Sequence, residues 1–186
     1  MSIRLLLAAD RMPMPWRNGG GITREIAAWP PGATLENFDW RVSMAEVREP
    51  GPFSTFPGVD RVLTILQGTL LLSIEGRPAV TLTAESFPFR FAGDVSCVGT
   101  PVGGPVLDLN VMVRRDRYAA GVQRTSTSQR PVPAATCLLV ALSAGRVLVG
   151  TGEWHLTVHD ALLLQAETGS ALAAQGASAL ISFSPC

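Results

Sequence analysis

His155 and His159 are the only two histidines of the chain, and their spacing of four is that of the zinc-binding face of an HExxH helix. The residues between them point elsewhere. Trp154-His155-Leu156-Thr157-Val158-His159 is rich in strand formers, and Leu156 stands where that motif carries its glutamate. In a strand the two rings share a face but lie about 13 Å apart along the chain, too far for one ion. They are expected to be surface or interface residues, and no metal ligand set is predicted from them.

Four other stretches hold residue types suited to recognising a small molecule. In Asn18-Gly19-Gly20-Gly21-Ile22-Thr23-Arg24-Glu25, three consecutive glycines permit positive φ and expose backbone N–H groups, which can cradle an anion; the alternative is a plain loop entering a strand. Trp16, Arg17 and Asn18 add an aromatic face, a cation and an amide beside it. Trp40-Arg41-Val42-Ser43-Met44-Ala45-Glu46-Val47 alternates, so Arg41, Ser43 and Ala45 face one way and Glu46 lies on the opposite, mostly apolar face. An acid there must end at an edge, pair with a cation or serve a function. Arg61 follows Pro57-Gly58-Val59-Asp60 and begins the apolar run Val62–Leu66. A guanidinium at the mouth of such a strand can hold a carboxylate through two parallel hydrogen bonds, with Asp60 orienting it; the alternative is a surface arginine. In Asp108-Leu109-Asn110-Val111-Met112, Asp108, Asn110 and Met112 share one face, turned either to solvent or to a cavity.

These stretches need a scaffold, and composition indicates its class. Hydrophobic residues make up 47% and charged residues 16%, a balance that suits a packed globular body. The formal net charge is zero, without the basic surplus that nucleic acid or an anionic membrane would attract. All fifteen basic residues are arginine. Without lysine there is no side-chain Schiff base and no Walker A loop. Cys97, Cys137 and Cys186 are widely spaced and form no CxxC, which suits free thiols in a reducing compartment. The apolar run Ile3–Leu7, cut short by Asp10 and Arg11, is too short for a signal segment or a membrane span. A cytoplasmic location is expected.

Eighteen glycines and fourteen prolines cut the chain into short apolar runs, and no amphipathic helical pattern is sustained. Ile22–Trp29, Trp40–Val47, Val62–Leu66, Thr69–Ile74, Ala79–Thr83 and Val106–Val113 read as strands, with one strand ending at Gly68 and a tight hairpin at Glu75-Gly76. The arginine-rich and then proline-rich stretch from Arg114 to Pro133 reads as a crossover, able to carry one exchanged strand. Strand patterns resume in Ala135–Leu142, Arg146–Val149, Trp154–Val158, Ala161–Leu164 and Ala179–Phe183. The expectation is an all-β protein of two barrel lobes: residues 1–115 with the ligand pocket, a crossover over 116–133, and a smaller lobe over 134–186.

Taken together, the motifs resemble those of the HutD/Ves family. Pro15-Trp16-Arg17-Asn18-Gly19-Gly20-Gly21 with Thr23-Arg24-Glu25 is similar to its opening signature. Trp40–Val47, Gly51–Arg61 and Asp108–Met112 resemble its next three blocks, in order. The last third resembles it more loosely, through Leu156 and Asp160–Leu164. The resemblance implies a cupin (RmlC-like jelly-roll) double barrel and an accessory or regulatory association with histidine catabolism. Metal-dependent cupins carry an HxH pair, whereas Phe53–Arg61 has no histidine, so neither a metal nor another cofactor is expected.

The favoured reading is a small-carboxylate-binding protein sensing an intermediate such as urocanate or N-formylglutamate. Its site would be lined by Trp16, Asn18, Arg41, Glu46, Asp60, Arg61 and Asn110. Two alternatives stand beside it: a metal-independent isomerase or hydrolase with Glu46 as acid/base, and a non-catalytic protein–protein adaptor. No nucleic-acid or membrane partner is expected, and a homodimer is allowed.

Overall fold

The computed structural model describes residues 2–132, 134–165 and 171–186, with the backbone alone over 127–131. In chain order the strands are β1 (Ser2–Leu6), β2 (Pro13–Pro15), β3 (Gly21–Trp29), β4 (Trp40–Val47), β5 (Gly51–Phe53), β6 (Val59–Ile74), β7 (Val80–Thr83) and β8 (Phe89–Ala92). They continue with β9 (Cys97–Arg114), β10 (Tyr118–Pro131), β11 (Thr136–Ala141), β12 (Gly145–Val149), β13 (Gly152–Leu156), β14 (Ala161–Gln165) and β15 (Ala171–Pro185). The one helical element among the described residues is a 3-10 turn at Ala8–Asp10.

Two curled sheets account for these strands. An eight-stranded sheet runs β2-β3-β4-β9-β6-β7, with β5 added to β9 and β8 to β6. A seven-stranded sheet runs β1-β14-β11-β15-β12-β13, with β10 added to β15. They correspond to two compact units, residues 12–118 and residues up to 11 joined with 119–186. Each has its own apolar core. In the first, Val47, Phe53, Leu63, Ile65, Leu70, Leu72 and Phe91 pack together; in the second, Leu139, Val147, Val149, Leu162, Leu164 and Leu180 do so. The all-β, two-lobed expectation is what the structure shows.

The register of the first sheet matters most for function. β9 lies between β4 and β6, and its antiparallel pairings set three rows across the sheet: Arg41–Met112–Arg61, Ser43–Asn110–Leu63 and Ala45–Asp108–Ile65. Partners directly opposite one another in a sheet put their side chains on the same face. Leu63 and Ile65 belong to the apolar core of this unit, so all three rows face the barrel interior.

Three expectations change. Gly68 does not end a strand. The pairing of β6 with β9 shifts register around Gln67, and β6 bends through the irregularity. Gly68 has φ +84°, and a Cβ there would meet the Pro105 carbonyl oxygen at 2.7 Å, so only glycine fits. The Glu75-Gly76 turn is present, with the Arg77 N–H donating to the Ile74 carbonyl, but β7 begins only at Val80. Finally, the lobes are not cut in simple linear order. β1 pairs with β14 from Ser2↔Gln165 to Leu6↔Ala161, and its Ile3 packs on the C-terminal core. The 116–133 stretch is strand over most of its length, because β10 joins β15; Pro133 lies outside the described residues.

Candidate functional site

The three rows floor a cleft of about 580 Å³ in the unit formed by residues 12–118. Arg41, Ser43 and Ala45 come from β4, Arg61 from β6, and Asp108, Asn110 and Met112 from β9. Pro52, Phe53, Ser54 and Phe56 close one side, and Met14 to Asn18 with Thr23 close another. Period-two alternation in β4 and β9 delivers the floor residues from the same side of the sheet.

The glycine run lies behind the wall formed by Trp16 and Asn18. The Gly19 N–H donates to the Trp16 carbonyl at 3.0 Å, and the Gly20 N–H to Asn18 Oδ1 at 3.1 Å. Those two amides are therefore taken up within the turn, which is the plain-loop alternative and leaves neither of them to cradle an anion. Gly21 is required for closeness: a Cβ there would lie 2.7 Å from the Glu46 carbonyl oxygen and 2.9 Å from the Trp16 ring. Trp16 is held by its Nε1–H, which donates to Thr23 Oγ1 at 2.8 Å, and by an edge-on contact with Phe53 at 5.9 Å between centroids.

The two floor arginines differ in their partners. Arg41 is 6% exposed, and its Nε donates to Glu25 Oε2 at 2.7 Å while Nη1 donates to Ser43 Oγ at 3.3 Å. Its charge is matched. Arg61 is also 6% exposed, but its bonds go to neutral acceptors: Nε to Asn110 Oδ1 at 3.4 Å and Nη1 to the Ser54 carbonyl at 3.3 Å. Among the described residues no carboxylate lies within salt-bridge distance of it. Its guanidinium carbon sits 5.4 Å from the Phe53 ring centroid and 5.1 Å from that of Phe91. Burial lowers its pKa from the ordinary arginine value, opposed by Cys97 and Asp108; a guanidinium still remains charged in a protein. Arg61 is thus a buried cation, deeper than the strand-mouth position expected for it.

Asp108 completes the floor and was not singled out from sequence as a site residue. It is 2% exposed, and its Oδ1 has no hydrogen-bond partner among the described residues. Burial pushes its pKa up to about 7, while the Arg61 charge and the Ala45 backbone N–H pull it down. The available signal is an acid within the mostly apolar run Val106–Val113, on the same face as Asn110.

Trp16, Asn18, Arg41, Arg61 and Asn110 therefore meet along one cleft. Glu46 and Asp60 do not join them. Glu46 lies on the opposite face of β4 from Arg41, where its Oε1 accepts from Arg48 Nε at 2.7 Å. The hydrogen bond from Arg48 holds its pKa below the ordinary value, against burial. Asp60 is adjacent to Arg61 on β6, so it turns to the other face, where it pairs with Arg115 at 3.0 Å. It cannot orient the Arg61 guanidinium from there.

The histidines lie in the other unit. His155 is on β13, exposed, with Nε2 at 3.2 Å from Glu153 Oε1. His159 is not in a strand, because β13 stops at Leu156. A turn follows in which Asp160 accepts from the Thr157 N–H and hydroxyl, and His159 has φ 72°. Among the described residues no group of three or more His, Cys, Asp or Glu side chains is placed to hold a metal ion. The three cysteines are free, Cys97 and Cys137 buried and Cys186 exposed. No helix among the described residues is long and apolar enough to cross a membrane.

Comparison with known proteins agrees with this architecture. Residues 8–182 match the HutD family model. The chain is 35% identical over 168 residues to a 21.2 kDa protein of the hutC 3′ region of Pseudomonas putida, covering 88% of this chain and 87% of that protein. It is 41% identical over 149 residues to the protein Ves of Citrobacter koseri, covering 78% of this chain and 72% of that one. The structure of HutD from Pseudomonas fluorescens SBW25 superposes with a TM-score of 0.87 at 32% identity over 100% of both chains. A cupin 2 conserved barrel domain protein from Leptotrichia buccalis, at TM-score 0.61 and 11% identity over 95% of this chain and 98% of that one, shares the fold alone.

Proposed function

This chain belongs to the HutD family, and we propose that its N-terminal barrel is a binding site for a small carboxylate, with an accessory or regulatory role in histidine catabolism. The observation that carries the reading is Arg61: a buried guanidinium facing a cleft, bonded only to neutral acceptors, while neighbouring Arg41 has its own carboxylate. A buried charge costs several kcal/mol unless paired. A ligand carboxylate is the partner that Arg61 lacks. Asn18 and Asn110 offer amide groups beside it, and Trp16 with Phe53 offers an apolar wall. The volume suits a molecule of metabolite size.

The pathway assignment is supported by the relative that lies in the hutC 3′ region. Urocanate and N-formylglutamate are the first ligands to try. A protein that binds such an intermediate without turning it over reports how full the pathway is. The isomerase or hydrolase reading with Glu46 as acid/base loses its support, since Glu46 faces away from the cleft and is held by Arg48. An adaptor without a ligand would leave Arg61 facing solvent with no cavity beside it, whereas Arg61 is 6% exposed and lines the cleft.

A thermal-shift screen of urocanate, N-formylglutamate, glutamate and simple monocarboxylates tests the proposal. At least one carboxylate is expected to raise the melting temperature of the wild type and not that of Arg61→Ala. A panel in which no carboxylate acts, or in which both proteins respond alike, would refute it.

A further inference from the structure

A carboxylate site does not need a second acid on its floor, yet Asp108 is there, almost fully buried and with Oδ1 unpartnered among the described residues. It lies two rows from Arg61 on the same face, with the Ser43–Asn110–Leu63 row between them: Arg61 pairs in register with Met112, and Asp108 with Ile65, along the same two strands. The two are not within salt-bridge distance, but each feels the other's charge.

The other charged and titratable groups around this floor are few. β4 contributes Arg41, held by Glu25 of β3. The segment ahead of β3 contributes Arg17, at the cleft wall. β9 contributes Cys97, whose thiol is pushed up by burial. Arg61 is the cation that favours the ionised form of Asp108. A ligand carboxylate docking on Arg61 neutralises that support and adds a second negative charge to the same buried floor. Two carboxylates sharing a desolvated site do not both stay ionised.

We propose that Asp108 sets the ligand class of this cleft: a carboxylate docks on Arg61 only together with one proton, held by Asp108, so the floor takes ligands that present a single carboxylate there. The inference rests on the carboxylate-binding reading given above. The balance is simple. Ionised Asp108, the ligand anion and one proton from solvent give the ligand anion on Arg61 beside a neutral Asp108 carboxyl. That carboxyl then carries an O–H able to donate a hydrogen bond. With a pKa of about 7, Asp108 has both forms populated near neutrality, so ligand binding draws the proton from solution. Arg41 is already paired with Glu25 and Arg17 stands at the wall, so a second anionic group at the floor would find no proton-bearing partner and no further cation there.

The experiment titrates acetate into wild type and Asp108→Asn by NMR between about pH 5.5 and pH 9, with the proton count taken by calorimetry in two buffers of different ionisation enthalpy. Acetate affinity of the wild type should be level below neutrality and fall by about tenfold per pH unit above it, to a total of up to about a hundredfold. Asp108→Asn should show a level profile, and the wild type should take up close to one proton per acetate at the alkaline end. Malonate should bind no more tightly than acetate. Parallel profiles in the two proteins, or no proton uptake, would overturn the role of Asp108 and leave the carboxylate site standing; tighter malonate binding would overturn the single-carboxylate rule. Failure of acetate to bind the wild type at any pH would overturn the carboxylate reading and this inference with it. If Asp108→Asn does not fold, proton uptake by the wild type decides alone.

Discussion

Replacing Asp108 by Asn should stabilise the folded protein increasingly as the pH rises. Asp108 has a pKa of about 7 in the folded chain against an ordinary 3.8, and the first cause is burial. The folded state therefore holds this proton more tightly than the unfolded state does. The favourable contribution is fully present below about pH 4 and is lost as the pH climbs through 7, where the buried carboxylate must ionise. The whole displacement corresponds to about 4 kcal/mol, of which about 2–3 kcal/mol falls between about pH 5 and pH 8. Asn keeps the shape and is neutral throughout. Its extra N–H donors can cost a constant amount, but that amount does not change with pH. Every other titrating group is common to both proteins and cancels when the two are compared. The assay is urea denaturation of ligand-free wild type and variant at the two pH values. The stability difference between them should move by about 2–3 kcal/mol in favour of Asn at the higher pH. A difference that stays constant across the range would refute the buried-acid reasoning.

Other perturbations follow from the same geometry. Gly21→Ala should destabilise by about 1–3 kcal/mol and shift the tryptophan emission, because the added methyl meets the Glu46 carbonyl and the Trp16 ring; unchanged stability and emission would mean that the wall is less tightly built. Glu25→Ala should cost about 1–2 kcal/mol in denaturant melts, since it strips the buried Arg41 of its partner while Glu25 itself is partly exposed. Asp160→Ala should cost about 2–4 kcal/mol, because its carboxylate accepts from the Ala8 N–H and from the Thr157 N–H and hydroxyl, tying β1 to its sheet. For Asp160, burial raises the pKa, but those hydrogen bonds and Arg11 outweigh it and the value is lowered. The stability it provides is present above the unfolded-state value and is lost as the pH falls through the folded-state one. An Asp160→Ala deficit that does not shrink in acid would contradict this.

Local patterns made part of the site readable. Period-two alternation placed Arg41, Ser43 and Ala45 on one face of β4, and Asp108, Asn110 and Met112 on one face of β9, and both faces line the cleft. The same alternation put Glu46 opposite Arg41, so one cleft could not hold both; which face turns inward depends on how the sheet closes. Asp60 beside Arg61 poses the same choice. Asp108 is visible as an acid in an apolar strand, but that its Oδ1 is left without a partner among the described residues depends on what β4 and β6 bring alongside, and only the three-strand register shows that. The β1–β14 pairing joins residues more than 150 positions apart in sequence, beyond the reach of any local signal. Gly68 read as a stop because a bulge and a turn both ask for positive φ, and the distinction lies in the Pro105 carbonyl packed against it.

Calorimetric titration of urocanate into wild type, Arg61→Ala and Arg61→Lys, with circular dichroism as the folding control, tests the central claim most directly. Hydrogen bonds to charged groups contribute about 1.5–3 kcal/mol each, so Arg61→Ala should weaken binding by at least about tenfold. Arg61→Lys retains the charge without the two-pronged geometry and should recover only part of the affinity. N-formylglutamate is titrated in parallel, so that the choice of carboxylate does not decide the outcome. The account predicts affinity in the order wild type, Arg61→Lys, Arg61→Ala for whichever carboxylate binds. Equal affinity in all three folded proteins, or binding of neither compound by the wild type, would contradict it.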